Sequence, residues 1–274
     1  MSKYKVPFPW YGGKCSRLKW LLPIINNIEH IAYVEPFGGS GAVLFNKPIS
    51  QVEVYNDVYG DVVNFFRVLR NNTEEIIKLL SLTPYSREEF GDSTEDTSKL
   101  SDIEMARLFF VRARQVRSSS ATNCNISNWS YVTSNTRRGI SQNTSRWLSG
   151  IEGLPEFAER LLLVQIENKK ALDVISRYDT ETTLFYLDPP YTLDTRSQKA
   201  YSDEMSTKDH IELLDLIVNI KGKVIISGYP NNLYETHLSG WYTKEFEENL
   251  GGYEKSDKSK RIEKIWSNVL LNNN

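Results

Sequence analysis

Short apolar runs bounded by polar turns recur along this chain, and amphipathic stretches fill most of the gaps between them. The runs at 31–35, 51–55, 161–166, 183–187 and 223–227, rich in Val, Ile, Leu and aromatic residues, predict strands. Helices are predicted over 14–26, 40–45, 57–70, 169–177 and 207–220, the last with Ile211, Leu214, Leu216 and Val218 for an apolar side. Such alternation builds crossover units, so the expected class is α/β, a mostly parallel sheet with helices on both faces. The segments 241–246 and 262–271 could add a terminal pair of strands. A polar, acidic stretch over 91–102 reads as an exposed connection into a helix starting near Asp102.

Composition narrows the class. With 274 residues, 40% hydrophobic and 25% charged, the chain has room for one large core and a smaller subdomain, and global disorder is excluded. No apolar run approaches the roughly 20 residues of a transmembrane helix, and no apolar signal segment follows Met1. A cytoplasmic protein without a membrane partner is expected. Cys15 and Cys124 stand far apart with no His nearby, so neither a disulfide framework nor a metal site is expected.

A net charge of −2 leaves any nucleic-acid binding to a local patch. One stretch qualifies. Between Met105 and Ile151 there is no Asp, Glu or Lys, while Arg107, Arg112, Arg114, Arg117, Arg137, Arg138 and Arg146 are present. Among them lie Asn123, Asn125, Asn128, Asn135, Gln142, Asn143, Trp129, Tyr131 and Trp147. Arg forks onto guanine or phosphate, Asn and Gln pair with adenine edges, and aromatics stack or wedge. The stretch is either a nucleic-acid reading surface or a solvated Ser-rich loop beside a positive helix end.

The sharpest chemical signal is Asp188-Pro189-Pro190-Tyr191, directly after the apolar run Leu184-Phe185-Tyr186-Leu187. Methyl transfer to a planar amino nitrogen needs an acceptor for an amino hydrogen, a flat apolar surface for the ring, and a stiff backbone to aim both. Asp188 supplies the acceptor and Tyr191 the surface. Two prolines hold φ near about −65° and carry no N–H, which keeps the Asp188 and Pro189 carbonyls out of a helix or ladder. An ordinary strand-ending turn uses the same residue types.

Ligands of doubly wound sheets sit beyond the carboxyl ends of the strands. The first predicted strand ends in Glu35-Pro36-Phe37-Gly38-Gly39-Ser40-Gly41, where glycines admit a ligand close to backbone N–H groups and Glu35 can hold an ammonium or a ribose hydroxyl. A tight strand-to-helix turn is the alternative, since the spacing is not that of a nucleotide phosphate loop. The second strand ends in Tyr55-Asn56-Asp57, an acid roughly 20 residues after the glycines, suited to ribose hydroxyls, to capping a helix, or to both. Near the N-terminus, Trp10-Tyr11-Gly12-Gly13-Lys14 joins aromatics, a Gly pair and a cation, either as a pocket for a carboxylate or as a hydrophobic plug.

Taken in order, these segments resemble the Dam-type DNA adenine-N6 methyltransferases (D12 class, alpha group) over nearly the whole chain. The resemblance implies a Rossmann-like sheet dependent on S-adenosylmethionine (AdoMet), residues 1–70 and 161–274, with an inserted, mainly helical target-recognition domain over 71–160. It assigns the cofactor to Trp10, Lys14, Glu35, Pro36, Phe37, Gly38, Gly39, Ser40, Gly41, Asp57, Ile166, Asn168 and Asp188, and catalysis to Asp188, Pro189, Pro190 and Tyr191. The partner is double-stranded DNA, contacted by Arg112, Arg114, Arg117, Asn123, Asn125, Arg137 and Arg138. The target adenine would be flipped from the duplex and stacked on Tyr191, with N6 donating to Asp188 and the Pro189 carbonyl. Tyr201, after the loop 192–200, and Ser227-Gly228-Tyr229 are further candidates for the base pocket. No metal is needed, and a monomer in solution is expected. The chain departs from the family in the insert: Arg112-Ala113-Arg114-Gln115-Val116-Arg117 stands where readers of GATC carry an Asn-Gly-Leu and Arg-Tyr-Asn pattern, so GATC specificity is not implied. Methylation of RNA or of a protein amide, and a silent DNA-binding subunit, are the competing functions.

Overall fold

A computed structural model describes residues 5–117, 121–122, 124–191, 205–248 and 261–271. Asn123, Tyr201 and the loop 192–200 lie outside the described residues.

A 3-10 turn, Lys14–Ser16, leads into α1 (Leu18–Asn26), β1 (Ala32–Glu35), β2 (Val52–Asn56) and α2 (Gly60–Asn71). A mainly helical stretch follows: α3 (Thr73–Leu82), α4 (Arg87–Asp92), α5 (Asp102–Gln115), the small hairpin β3 (Thr136–Arg137) and β4 (Ile140–Ser141), then α6 (Gln142–Glu152) and α7 (Leu154–Leu161). The chain then returns to the sheet through β5 (Gln165–Glu167), α8 (Ala171–Arg177), β6 (Thr183–Leu187), α9 (Thr207–Ile217), β7 (Lys223–Gly228), α10 (Asn232–His237), β8 (Tyr242–Glu248) and β9 (Arg261–Ser267).

The main sheet runs in the order β5-β2-β1-β6-β7-β9-β8. From β5 to β7 the strands are parallel, and β9 runs antiparallel to both β7 and β8. From β1 the chain moves outward to β2 and β5 on one side, and later from β6 to β7 on the other. The order therefore reverses between β1 and β6, and a crevice opens beyond the carboxyl ends of strands at such a point. β1 ends at Glu35 and β6 at Leu187, directly before Asp188, so the two motifs the sequence singles out stand at these strand ends.

Both faces of the sheet are covered, as a parallel sheet requires. All five residues of β6 are buried. On one face Phe185, Leu187, Val224 and Ile226 pack with Leu213, Leu214 and Ile217 of α9. On the other, the rings of Phe8 and Phe65 lie 5.4 Å apart, Phe65 stacks on Phe110 at 5.4 Å, and Phe110 meets Trp147 at 5.5 Å. Those contacts join α2 to α5 and α6, so the helices of 71–160 share the apolar core of the sheet layer. Ser101 caps α5 by accepting from the Glu104 amide, which fixes its start one residue later at Asp102.

Two predicted elements differ. The run 161–166 is the end of α7 followed by a turn: Leu154, Phe157, Ala158 and Leu161 are buried at helical spacing, and only Gln165 onward joins the sheet. The predicted helix 40–45 is a series of turns, because Gly39 and Gly41 take φ of 49° and 65°, the left-handed region, and interrupt any helix there. The terminal strand pair is present as β8 and β9. Among the described residues no helix is long and apolar enough to cross a membrane.

Candidate active site

A cavity of about 400 Å³ lies beyond the carboxyl ends of β1, β2 and β6, within the size range of small-molecule sites. Trp10, Gly12, Gly13 and Lys14 line it from the N-terminal segment, Glu35 to Ser40 from the end of β1, and Asp57, Val58 and Tyr59 from the end of β2. Tyr186, Asp188 and Pro190 complete it from β6, and Asp209 and Glu212 from the start of α9. The structure thus brings most of the sequence-selected residues into one space.

The glycine segment is held from behind. The Gly38 amide donates to the Asn56 carbonyl at 2.8 Å, and the Tyr55 hydroxyl donates to the Gly39 carbonyl at 2.6 Å. A Cβ at Gly39 would lie 2.7 Å from the Trp10 ring, so the turn can approach that indole only as glycine. Asp57 accepts from the Gly39 amide at 2.8 Å through one oxygen and from the Tyr59 amide at 2.9 Å through the other. It therefore ties the glycine turn to the start of the following helix while lining the cavity.

At the far end, β6 delivers Asp188. Leu187 pairs with Ile226, so Asp188 stands beside Ser227 at the end of β7. Ser227 donates to Asp188 Oδ1 at 3.0 Å, and Lys14 Nζ lies 2.6 Å from the same oxygen. Both donors serve Oδ1, and among the described residues no donor meets Oδ2. Lys14 also donates to the Tyr191 hydroxyl at 2.7 Å, which in turn donates to Glu263 Oε1 at 2.9 Å. The Tyr191 ring meets Tyr229 edge-on at 4.6 Å.

Burial pushes the Asp188 carboxyl above the usual carboxylate range, and Lys14 pulls it back down, with the Glu263 charge adding to the upward push. Burial also pushes Glu35 up to about 7, against the hydrogen bond it accepts from the Tyr33 hydroxyl at 2.7 Å. The lining carries the carboxylates Glu35, Asp57, Asp188, Asp209 and Glu212 against Lys14 and Lys170, with Lys14 already paired. Such a lining suits a ligand bearing net positive charge together with hydroxyl or amino donors.

Several selected residues fall elsewhere. Gly41, Pro189 and Tyr191 do not line the cavity, and neither do Ile166 and Asn168; the wall beyond β5 is made by Lys170, Ala171 and Leu172. Asn168 instead donates to the Asp57 and Val58 carbonyls at 2.8 and 3.2 Å, bracing the loop after β2 from outside. Arg112 is buried, paired to Asp61, and donates to the Ser93 carbonyl at 2.6 Å and the Tyr59 hydroxyl at 3.1 Å. Arg114 donates to the Pro7 carbonyl at 3.4 Å and the Arg146 carbonyl at 2.5 Å, and burial with the nearby Arg146 charge lowers its pKa to about 10. These two arginines brace the helical layer and do not lie on an open surface, contrary to the reading of the whole Arg-rich stretch as one face. Arg117, Arg137 and Arg138 are exposed. Arg117 lies 5.8 Å from the Tyr131 ring centre, and Arg138 sits at the tip of the β3–β4 hairpin with φ 56°, pairing with Glu152 at 3.2 Å. The Asn125 side chain caps a 3-10 turn by accepting from the Ser127 amide at 3.0 Å.

Glu263, Tyr59 and Tyr186 were not selected from the sequence. Glu263 points inward while its neighbour Ile262 is 40% exposed, so its strand shows an acid on the buried side. That signal becomes legible only once the face of β9 is known.

A family model described as D12 class N6 adenine-specific DNA methyltransferase matches residues 10–254. The chain is also similar to the Type II methyltransferase M1.LlaDCHI of Lactococcus lactis subsp. cremoris, 24% identical over 249 residues that cover 81% of this chain and 79% of the relative. With the glycine turn at β1, Asp188-Pro189-Pro190-Tyr191 at β6 and one cavity between them, the chain belongs to the D12 class of N6 adenine-specific DNA methyltransferases.

Proposed function

We propose that AdoMet occupies the cavity between β1 and β6 and that Asp188 and Tyr191 present a flipped adenine to it, in a reaction run by alignment and electrostatics. The observation that carries this reading is that Asp188 and Pro190 share one space with the glycine turn and Asp57. The cofactor would supply an electrophilic methyl group on a cationic sulfur, and its net positive charge suits the acidic lining. Trp10 and the Gly38–Gly39 turn would take one flank of it, Glu35 its ammonium, and Asp57 its ribose hydroxyls. Ile166 and Asn168, which do not line the cavity, would act from behind the wall formed by Lys170 to Leu172.

In this reading Asp188 Oδ2 accepts an N6 hydrogen and aims the nitrogen lone pair into the cavity. An ionised Asp188 also stabilises the positive charge that develops on N6. Ser227 and Lys14 hold the carboxylate by its other oxygen, so its orientation precedes substrate binding and need not be organised during reaction. Tyr191, backed by Tyr229, gives a flat surface for the flipped base, and Pro189-Pro190 holds the peptide between acceptor and ring stiff. Contacts to the duplex fall to the exposed Arg117, Arg137 and Arg138, with Tyr131 beside Arg117, while Arg112 and Arg114 serve the scaffold.

The test is to incubate the protein with AdoMet and unmethylated genomic DNA and to map modified adenines by single-molecule sequencing. One recurring N6-methyladenine motif is expected, and none with Asp188→Ala, which should still bind AdoMet. Methylation surviving in Asp188→Ala would overturn the assignment, whereas AdoMet binding without turnover by the unaltered protein would leave a silent DNA-binding subunit.

A further inference from the structure

Glu263 is a fully buried carboxylate that does not line the cavity, on a strand antiparallel to the rest of the site. It accepts the Tyr191 hydroxyl at 2.9 Å, lies 3.2 Å from Lys14 Nζ and pairs with Arg17. The Lys14 ammonium has three hydrogens and meets Asp188 Oδ1 at 2.6 Å, the Tyr191 hydroxyl at 2.7 Å and Glu263. One cation is thus divided between the acid that faces the cavity and an acid behind it.

We propose that Glu263 is a positioning residue for methyl transfer: it shares the Lys14 ammonium with Asp188 and anchors the Tyr191 hydroxyl, holding acceptor and stacking ring in register. The proposal rests on the roles given above to Asp188 and Tyr191. A lysine paired with Asp188 alone would be free to follow that carboxylate and bridge both of its oxygens. Drawn toward Glu263 on the far side, it stays on Oδ1, and Oδ2 remains open. The same carboxylate accepts the hydrogen bond of the Tyr191 hydroxyl, which fixes the position of the ring's outer end. Arg17 balances the second negative charge, so the cluster of Lys14, Arg17, Asp188 and Glu263 is neutral overall.

The groups around Asp188 define what a pH profile reads. Lys14 faces it from the N-terminal segment, Tyr186 and Tyr191 from β6 and its end, Tyr234 from α10 and Glu263 from β9, with Arg17 beyond them against Tyr191 and Glu263. Removing the Glu263 charge takes away a repulsion on Asp188 and leaves Lys14 to it alone, so both effects favour the ionised carboxylate.

The experiment is single-turnover methylation of duplex DNA by the full chain carrying Glu263→Gln, with an AdoMet titration, a thermal melt and a rate–pH profile. The expected result is a methyl-transfer rate lower by about tenfold to a hundredfold, a misplacement effect, with AdoMet affinity held within about threefold. The acid limb should move to lower pH. Glu263→Asp, which keeps the charge, should leave the limb in place and restore part of the rate. Should the buried Arg17 prevent Glu263→Gln from folding, the double variant Arg17→Gln/Glu263→Gln removes both charges and should show the same rate loss and limb shift. An unchanged rate, or an unmoved limb, in either folded variant would overturn the proposal. Asp188→Ala on the same DNA separates the two levels: turnover in that variant sinks the underlying reading, while its silence beside an unaffected Glu263→Gln sinks the Glu263 role alone.

Discussion

Two buried lysine–carboxylate pairs sit at opposite ends of the same sheet. At the amino end, Glu53 Oε1 takes Lys47 at 2.6 Å and the Ser50 amide at 3.0 Å, Arg160 pairs with Oε2, and the Lys47 ammonium lies 4.4 Å from the Tyr33 ring centre. At the carboxyl end, Asp188 lines a cavity and receives Lys14 and Ser227 on one oxygen, with no donor among the described residues on the other. Burial and pairing are alike, so neither distinguishes a site from a scaffold. Unspent acceptor capacity facing open space does, and in a doubly wound sheet that space is at the carboxyl ends.

Substitution of the two acids should separate them most sharply. Asp188→Ala is expected to lower the methyl-transfer rate on the order of a thousandfold with a nearly unchanged melting curve. Glu53→Ala should do the reverse: it strands Lys47 and Arg160 in the interior and costs about 3–5 kcal/mol of stability, while the folded fraction turns over normally. A Glu53→Ala protein with native melting and depressed turnover would erase the distinction.

A smaller effect is expected from Glu35, which stands between the two pairs and is linked to the amino-end cluster through Tyr33. Its pKa near 7 means that in the free protein it is protonated below neutral pH and about half ionised at pH 7. Its contribution to stability is therefore fully present below the unfolded-chain value of 4.5 and is lost as pH rises through about 7. Cofactor binding should run the other way, since a cation beside Glu35 favours the ionised form. AdoMet affinity measured by titration should rise by up to about tenfold per pH unit below pH 7 and level off above it. Glu35→Gln should flatten that slope, and an equally steep slope in the variant would remove Glu35 from the ammonium's surroundings.

The smallest effects concern the arginines. Arg137→Ala should weaken DNA binding uniformly across sequences and reduce the slope of log affinity against log salt by about one. Arg112→Met should leave that slope untouched and lower the melting temperature, because Arg112 is buried and its hydrogen bonds go to Asp61, Tyr59 and the Ser93 carbonyl. Equal salt slopes in the two variants would return Arg137 to an ordinary surface role.

Membership of the D12 class decides between DNA adenine and the rival RNA or protein-amide acceptors, a choice that Asp188-Pro189-Pro190-Tyr191 by itself leaves open because it suits any planar amino group. Where the sequence misleads, the reason is local. Leu161-Leu162-Leu163-Val164 reads as a strand from its apolar content, but Leu162 and Leu163 are exposed at the end of a helix. The Arg-rich stretch reads as one face because composition carries no direction: Arg112 of α5 is buried, while Arg117 beyond that helix and Arg137 and Arg138 of the hairpin are exposed.

The sequence alone determined the α/β class, the terminal β6 boundary at Leu187 and the two motifs that meet the cavity, because each rests on neighbours in the chain: apolar periodicity, glycine conformations and consecutive prolines. Only the tertiary structure decided that Lys14, Ser227 and Glu263, from three separate elements, converge on Asp188 and Tyr191, and that Arg112 turns inward while Arg137 turns out. Strand order and the facing of each side chain are set by packing between segments far apart in sequence, and no local pattern encodes which oxygen of a carboxylate is left free.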